Sequence, residues 1–435
     1  MAVGVSHNAR RVRKAFPAVL MRAGTSRGLF IQRQYLPEFT ADWAPQLLAA
    51  MGSADCDKRQ IDGVGGATST TSKVAVVGVS QLPGIDVEYT FVQVAVGSAA
   101  IDLSGSCGNM ASGVGPFAVQ EGMVKAEPGA TTVDVRILNT NTERVIVETV
   151  QLNEFGDVEE DGDFKIAGAQ GSGSEIKVSF VEPAGSMTDK LFPTGQRREI
   201  ITADDPDSTD GATFSVEATL IDVANPFILV DIRTMPDGVR ELNAGSEKFM
   251  RYAEAIRKVG AVRMGLAKSV EAAALVRGTP KVAMALAPVV DEQNGQASDA
   301  NIQAFSMGKP HPTLQITGAV CIAASVSIPG TVTARLRSGT KSSAAQLPET
   351  PLSMSSASSD GEAEDAGPRS DAAPRKVTVA RQVIVQHPTG TIEIEAQLTF
   401  GGGKGVDEEV VVDKCTVSRT ARRIFEGKVL YYAEA

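Results

Sequence analysis

One pattern occurs twice in this chain, about two hundred positions apart, and it constrains the fold more than any other feature. From Leu103 to Gln120, a turn (S-G-S-C-G-N from Ser104) runs into small and apolar residues able to form a helix. From Ser306 to Ile328, a second turn (S-M-G-K-P-H-P) again feeds a mostly apolar helix. The plain reading is two unrelated core helices. The sharper reading is a pseudo-twofold protein in which each half aims a helix N-terminus at a shared cleft. We adopt the second, because ligand sites favour domain interfaces.

The rest of the chain fits two such halves. At 435 residues it exceeds one ordinary core. Phe16–Ile31 reads as a hairpin through A-G-T-S-R-G, and Trp43–Gly52 as a short helix. Lys73–Val79, Val87–Val96, Thr132–Leu138, Arg144–Gln151 and Glu175–Val181 are rich in β-branched residues and bounded by turn formers, so they read as strands. The pattern loosens around Pro183–Thr194. Strands follow at Thr213–Val223, Phe227–Ile232 and Lys281–Leu286, with a helix over Ser246–Gly260. Ser338–Lys376 is dense in Ser, Ala, Pro and acidic residues and is expected to be a disordered surface insertion. Strands are expected at Val377–Val385 and Gly390–Phe400, and a closing helix over Ser418–Leu430 with Ser418 as N-cap. G-G-G-K-G (Gly401–Gly405) reads as a flexible turn.

Composition excludes several functions. The formal net charge of −10 comes with no basic stripe, which argues against a nucleic-acid partner. No run of 18 or more apolar residues calls for a membrane span. The cysteines Cys56, Cys107, Cys321 and Cys415 form no C-x-x-C pair, and His7, His311 and His387 do not cluster. A zinc or redox motif is therefore not visible, no metal site is expected, and a reducing, cytoplasmic compartment fits best. Arg10, Arg11, Arg13 and Lys14 lie in a stretch without acidic residues, which reads as a mitochondrial presequence or as a solvated arm.

Among residues able to carry chemistry, Cys107 stands first. Glycines flank it closely and a helix follows, a setting that favours a thiolate; the alternative is a small buried residue. Asn109 is either a carboxylate donor in the first turn or a routine cap. Lys73 ends the donor-rich loop D-G-V-G-G-A-T-S-T-T-S-K (Asp62–Lys73) and opens V-A-V-V. The Walker A order is absent, so an anion cradle with a desolvated lysine base is the better reading. A solvated strand-end lysine is the bland one. Arg22 is placed to pin a carboxylate or merely to charge a hairpin tip. Lys309 and His311 sit at the start of the second helix and could face the same ligand.

Taken together, M-R-A-G-T-S-R-G (Met21–Gly28), Asp62–Lys73, C-G-N-M-A-S-G-V-G-P-F-A (Cys107–Ala118), D-V-A-N-P-F (Asp222–Phe227), M-G-K-P-H-P (Met307–Pro312), H-P-T-G (His387–Gly390) and S-R-T-A-R-R (Ser418–Arg423) resemble the PrpF family of isomerases acting on 2-methylaconitate, aconitate and related unsaturated polycarboxylates. That resemblance implies an α/β (α+β) fold of two pseudo-symmetric diaminopimelate-epimerase-like domains. Each is a curled sheet around a central helix, with the active site in the interdomain cleft. On that basis residues 1–15 form an arm, 16–185 plus 417–435 a first domain, and 186–416 a second domain containing the 338–376 insertion. The last helix is expected to pack back on the first domain.

The resemblance further implies Lys73 and Cys107 as the acid/base pair, in either order, with no cofactor. The expected reaction is proton removal next to a C=C–COO⁻ unit, giving a dienolate that is reprotonated after bond rotation or at the other end of the allylic system. Backbone groups of Gly108, Asn109 and Met110 would hold the oxyanion, and Arg22, Ser26, Thr70, Ser72, Lys309 and His311 the other carboxylates of a di- or tricarboxylate. Two-cysteine epimerases carry a second thiol at the start of the second central helix. Here that place reads Ser306-Met307-Gly308, and Cys321 lies inside the helix as core, which disfavours a symmetrical two-thiol racemase. Aconitate and 2-methylaconitate lead the substrates, ahead of methylitaconate and oxalomesaconate. Rival readings are a cysteine hydrolase pairing Cys107 with His311 or His387, and a carboxylate-binding protein without catalysis. A homodimer is compatible with the sequence.

Overall fold

In the computed structural model, residues 11–290, 295–341, 376–401 and 409–434 are described. The first half contains β1 (Arg11–Ala23), β2 (Ser26–Gln32), α1 (Ala44–Met51), β3 (Lys73–Val79), β4 (Val87–Val94), β5 (Ile101–Asp102), α2 (Gly108–Ala111), α3 (Val114–Gln120), β6 (Thr132–Asn139), β7 (Arg144–Gln151) and β8 (Ile176–Val181). The second contains β9 (Glu199–Asp204), β10 (Thr213–Val223), β11 (Asn225–Asp231), α4 (Glu247–Arg263), α5 (Val270–Leu275), β12 (Lys281–Leu286), β13 (Ala300–Ser306), β14 (Lys309–Pro310), α6 (Ile316–Ser327), α7 (Val332–Lys341), β15 (Val377–His387), β16 (Gly390–Phe400) and β17 (Val410–Arg419). The strand β18 (Ala421–Glu434) returns to the first half.

The strand pairings repeat. The first half runs β18-β1-β2-β3-β4-β6-β7-β8, with β2–β3 and β4–β6 parallel. The second runs β9-β10-β11-β12-β13-β15-β16-β17, with β11–β12 and β13–β15 parallel at the matching places. A helix fills the β2–β3 crossover (α1) and the β11–β12 crossover (α4), as a parallel pair requires. Antiparallel pairing of β8 with β17 joins the two halves.

Side-chain alternation divides the core into layers. In β3, Val74 and Val76 pack with Trp43 and Leu47 of the α1 layer, while Ala75 and Val77 join the core around the central helices. In β12, Val282 and Met284 pack with Phe249 and Ile256 of α4, while Ala283 and Ala285 face the same central core. The two halves thus share one interior, which contains Met110, Phe117, Ile316 and Cys321. Strands buried on both faces read as continuous apolar runs, which is why β3, β11 and β12 stand out in the sequence.

Four expectations change. The segment expected as one helix after Cys107 breaks at Ser112-Gly113 into α2 and α3. Pro116 lies one turn after Ser112 and has no N–H to give its carbonyl, so a continuous helix would lose that bond and meet the ring. Ser418–Leu430 is not helical. Its residues end β17 and form β18, which pairs with β1 from Ala23↔Ala421 to Arg11↔Glu434. The free edge of β1 outweighs local helix propensity, and the alternation is visible in Val429 buried, Leu430 exposed, Tyr431 buried, Tyr432 exposed. By the same pairing, residues 11–15 of the expected arm are strand; residues 1–10 lie outside the described residues. Finally, Ser338–Lys341 complete α7 rather than opening the insertion, while 342–375 and 402–408, including most of the Gly-rich turn, lie outside the described residues.

Candidate active site

The two central helix starts meet at the seam between the halves. Cys107 immediately precedes α2 in an extended conformation, with its carbonyl accepting the Ala111 N–H at 2.9 Å. A Cβ built on Gly108 would lie 2.7 Å from Ile316 Cβ, so glycine is what lets α2 approach the first residue of α6. The Cys107 loop is clamped from both halves. Asn225 donates from Nδ2 to the Ser106 carbonyl at 2.9 Å and to Thr317 Oγ1 at 3.3 Å, and Asn139 Nδ2 donates to Ser106 Oγ at 2.9 Å. Tyr89 O–H donates to the Cys107 carbonyl at 3.3 Å. Asn225 and its neighbour Asp222 come from the D-V-A-N-P-F segment. Asp222 is wholly buried and accepts from the Met187 and Thr188 N–H groups at 2.8 Å, which fastens the inter-half crossover.

A cleft opens here. Of the residues singled out from the sequence, Ser26, Lys73, Cys107, Gly108, Asn109 and His311 line it. Lys73 is 8% exposed, and its Nζ donates to Gln93 Oε1 at 2.8 Å and lies 4.9 Å from the Phe91 ring centroid. Asn109 is tied to the β1–β2 turn, accepting from Thr25 N–H and donating to Thr25 Oγ1, both at 3.2 Å. Gly24 in that turn has φ +53°, and a Cβ there would overlap the Asn109 amide. Across the seam, Thr25 Oγ1 lies 3.2 Å from Thr313 Oγ1. The His311 Nδ1 lies 2.7 Å from the Thr313 carbonyl, which orients the ring with Nδ1–H donating. Burial pushes the imidazole down to about 4, Lys73 and Lys281 adding to the effect and the Thr313 bond opposing it, so the ring is neutral at neutral pH.

Other expected binders sit elsewhere. Arg22 donates to the Gly24 and Thr420 carbonyls, fixing the hairpin turn to the β17–β18 junction. Thr70 gives its carbonyl to Arg27 N–H. Ser72 is buried and donates to Gln60 Oε1 at 2.6 Å, so its hydroxyl is spent on holding the Asp62–Lys73 loop against Gln60. Met110 is core and Lys309 is exposed in β14. Ser306-Met307-Gly308 does not start the second helix. It is the turn of the β13–β14 hairpin, with φ 52° at Met307 and 73° at Gly308, and Gln315 stands before α6. Lys309 and His311 likewise precede that helix rather than begin it. Cys321 and Cys415 are buried. His387 is buried but outside the cleft wall. Among the described residues, no three His, Cys, Asp or Glu converge as a metal site.

The sequence reading missed Gln93, Asp102, Gln315, Thr317 and, above all, Lys281, which lines the same cleft. A signal existed. K-V-A occurs at Lys73–Ala75 and again at Lys281–Ala283, at the first residues of β3 and β12. Burial draws the Lys281 ammonium down to about 8, with Cys107 and Asp102 opposing that fall and Lys73 adding to it.

Two repeated sheet-and-helix halves closed on one polar seam define a diaminopimelate-epimerase-like α/β protein. A family model described as PrpF protein matches residues 13–370, and the chain belongs to that family. It is 33% identical over 417 residues to 4-oxalomesaconate tautomerase of Pseudomonas putida, covering 95% of each chain. It is 31% identical over 434 residues to 2-methyl-aconitate isomerase of Shewanella oneidensis, covering 95% of this chain and 96% of that one. Among solved structures, methylitaconate-delta-isomerase aligns with TM-score 0.64 and 29% identity, over 96% of each chain.

Proposed function

We propose that this chain is an isomerase of unsaturated di- and tricarboxylates, with aconitate or 2-methylaconitate as the leading substrates, and that Lys73 and Cys107 move the proton. The observation that carries the reading is the convergence of an amine and a thiol on one seam cleft, each held from behind: Lys73 by Gln93, the Cys107 loop by Asn225 and Tyr89. Lys73, as the free amine, takes the proton from the carbon next to the C=C–COO⁻ unit. The electron pair spreads as a dienolate onto the carboxylate. After rotation about the former double bond the same carbon takes a proton from the Cys107 thiol, giving the cis–trans isomer; without rotation the other end of the allylic system takes it, and the double bond moves. Proton return from the Lys73 ammonium to the thiolate resets the pair. First-turn N–H groups of α2 have no partner within their helix and can donate to the enolate oxygen. The relatives' names, covering a tautomerase and isomerases of such acids, support this chemistry.

A cysteine hydrolase is less well supported: His387 is outside the cleft, and His311 engages Nδ1 with the Thr313 carbonyl. The test is proton NMR of cis-aconitate, trans-aconitate and 2-methylaconitate with the purified protein in D₂O. Isomerisation with deuterium uptake is expected, and Lys73→Ala and Cys107→Ala should each lower turnover by about 10²-fold or more. Wild-type turnover in both variants, or binding without exchange, would sink the assignment.

A further inference from the structure

We infer that Lys281 is a substrate-binding residue of this cleft, the second half's counterpart of Lys73, and that its ammonium pairs with the carboxylate on which the dienolate charge collects. The inference rests on the isomerase reading and adds a charged group from the opposite half. Its first support is register. Lys73 opens β3 opposite Gly28 of the parallel strand β2, and Lys281 opens β12 opposite Phe227 of the parallel strand β11. Both lysines fall on the strand face that carries Ala75 or Ala283 toward the central helices. The duplication therefore delivers two amines to one cleft, one from each half.

Their surroundings differ, and the difference assigns the roles. Lys73 is held by a hydrogen bond to Gln93. Among the described residues, Lys281 makes no hydrogen bond or ion pair; its Nζ lies 5.9 Å from the Phe227 ring centroid. The titratable groups that share the cleft and act on it are Cys107, Lys73, Asp102 and His311, the last of which is neutral. Asp102 is engaged by Ser104, whose N–H and hydroxyl both donate to Oδ1. A densely surrounded cation without a partner is costly to keep charged, and an arriving carboxylate supplies the missing partner. The interaction strengthens as negative charge grows on that carboxylate, so it acts on the transition state more than on the ground state. No proton leaves Lys281 in this role.

The experiment compares wild type, Lys281→Gln and Lys281→Arg in the D₂O isomerisation assay and in calorimetric binding of propane-1,2,3-tricarboxylate, a saturated acid that cannot isomerise. Lys281→Gln should lower kcat/KM at least thirtyfold and weaken binding of the saturated acid about tenfold, with an unfolding midpoint close to wild type. Lys281→Arg, which keeps the charge, should recover much of the lost binding. If Lys281→Gln does not fold, Lys281→Met, of similar length and without charge, takes its place. Values of kcat/KM and Kd within threefold of wild type in the neutral variant overturn the inference. A wild-type protein that exchanges no proton with any of these acids refutes the isomerase reading itself, independently of Lys281.

Discussion

Gly108→Ala tests whether the contact between the two central helix starts sets the catalytic geometry. The new methyl would sit 2.7 Å from Ile316 Cβ, 2.8 Å from Ile316 Cγ2 and 3.1 Å from Phe180 Cζ. None of these is the loose end of a flexible chain, because Ile316 begins α6 and is wholly buried. Overpacking of this kind costs about 1–3 kcal/mol. With an unfolding entropy of about 2 cal/mol/K per residue, that is only about 1–3 °C in a chain of this size. The catalytic effect should be far larger. Relief of the clash moves α2, and with it Cys107, away from α6 by some tenths of an ångström to one ångström, and displacements of that order cost about 10²-fold in rate. The assay is isomerisation by NMR beside thermal unfolding, with Gly339→Ala as control. Gly339 lies in α7, where an added methyl would meet nothing within 4 Å, so that change should leave turnover intact. Full turnover in Gly108→Ala would refute the claim that the helix-to-helix approach positions Cys107.

Other outcomes follow from the same contacts. Asn225→Ala removes the bonds to Ser106 and Thr317 at a fully buried position; it should destabilise by about 1–3 kcal/mol in denaturant titration and lower kcat, because the Cys107 loop loses its clamp. Glu148 is wholly buried, one oxygen accepting Gly115 N–H at 2.7 Å and the other without a partner among the described residues, and burial holds its pKa well above the usual carboxylate value. The folded state therefore keeps a proton that the unfolded state releases, and stability falls as pH rises above the ordinary glutamate range. Glu148→Gln should gain on wild type in unfolding midpoint as pH is raised from about 5 to about 9. His311 and His387 are both pushed down to about 4 by burial, so the unfolded chain binds protons first as pH falls; stability should drop between about pH 6.5 and 4. Replacing both with Gln should flatten that part of the melting-temperature profile.

How much of this was legible depended on whether the signal was local. Lys73–Val79 and Lys281–Leu286 were readable as strands because both faces are buried and the apolar run is unbroken. Cys107 and Lys73 were readable as a pair through motif resemblance, and the structure places both on one cleft. The closing strand was not readable as such from S-R-T-A-R-R-I-F, because what decides it is the edge of β1, about four hundred positions away. Thr70 and Ser72 looked like ligand donors because the partner of Ser72, Gln60, is an ordinary glutamine whose position only the folded loop reveals. Lys281 was missed although its K-V-A repeats that of Lys73. The duplication survives mainly in pairing order, so three residues carry little weight until the strands are superimposable.

The pairing of β18 with β1 also fixes an order of events during synthesis. Every strand of the second half leaves the ribosome before β18 does, so the second half can assemble the eight strands of its sheet order while the first is still one short. Until then β1 has β2 on one side and an open ladder on the other, from Arg11 to Ala23. Such an edge invites pairing with foreign strands. The half that carries Lys73 and Cys107, begun first, is therefore completed after the second, and the nascent chain exposes an association-prone edge until β18 docks.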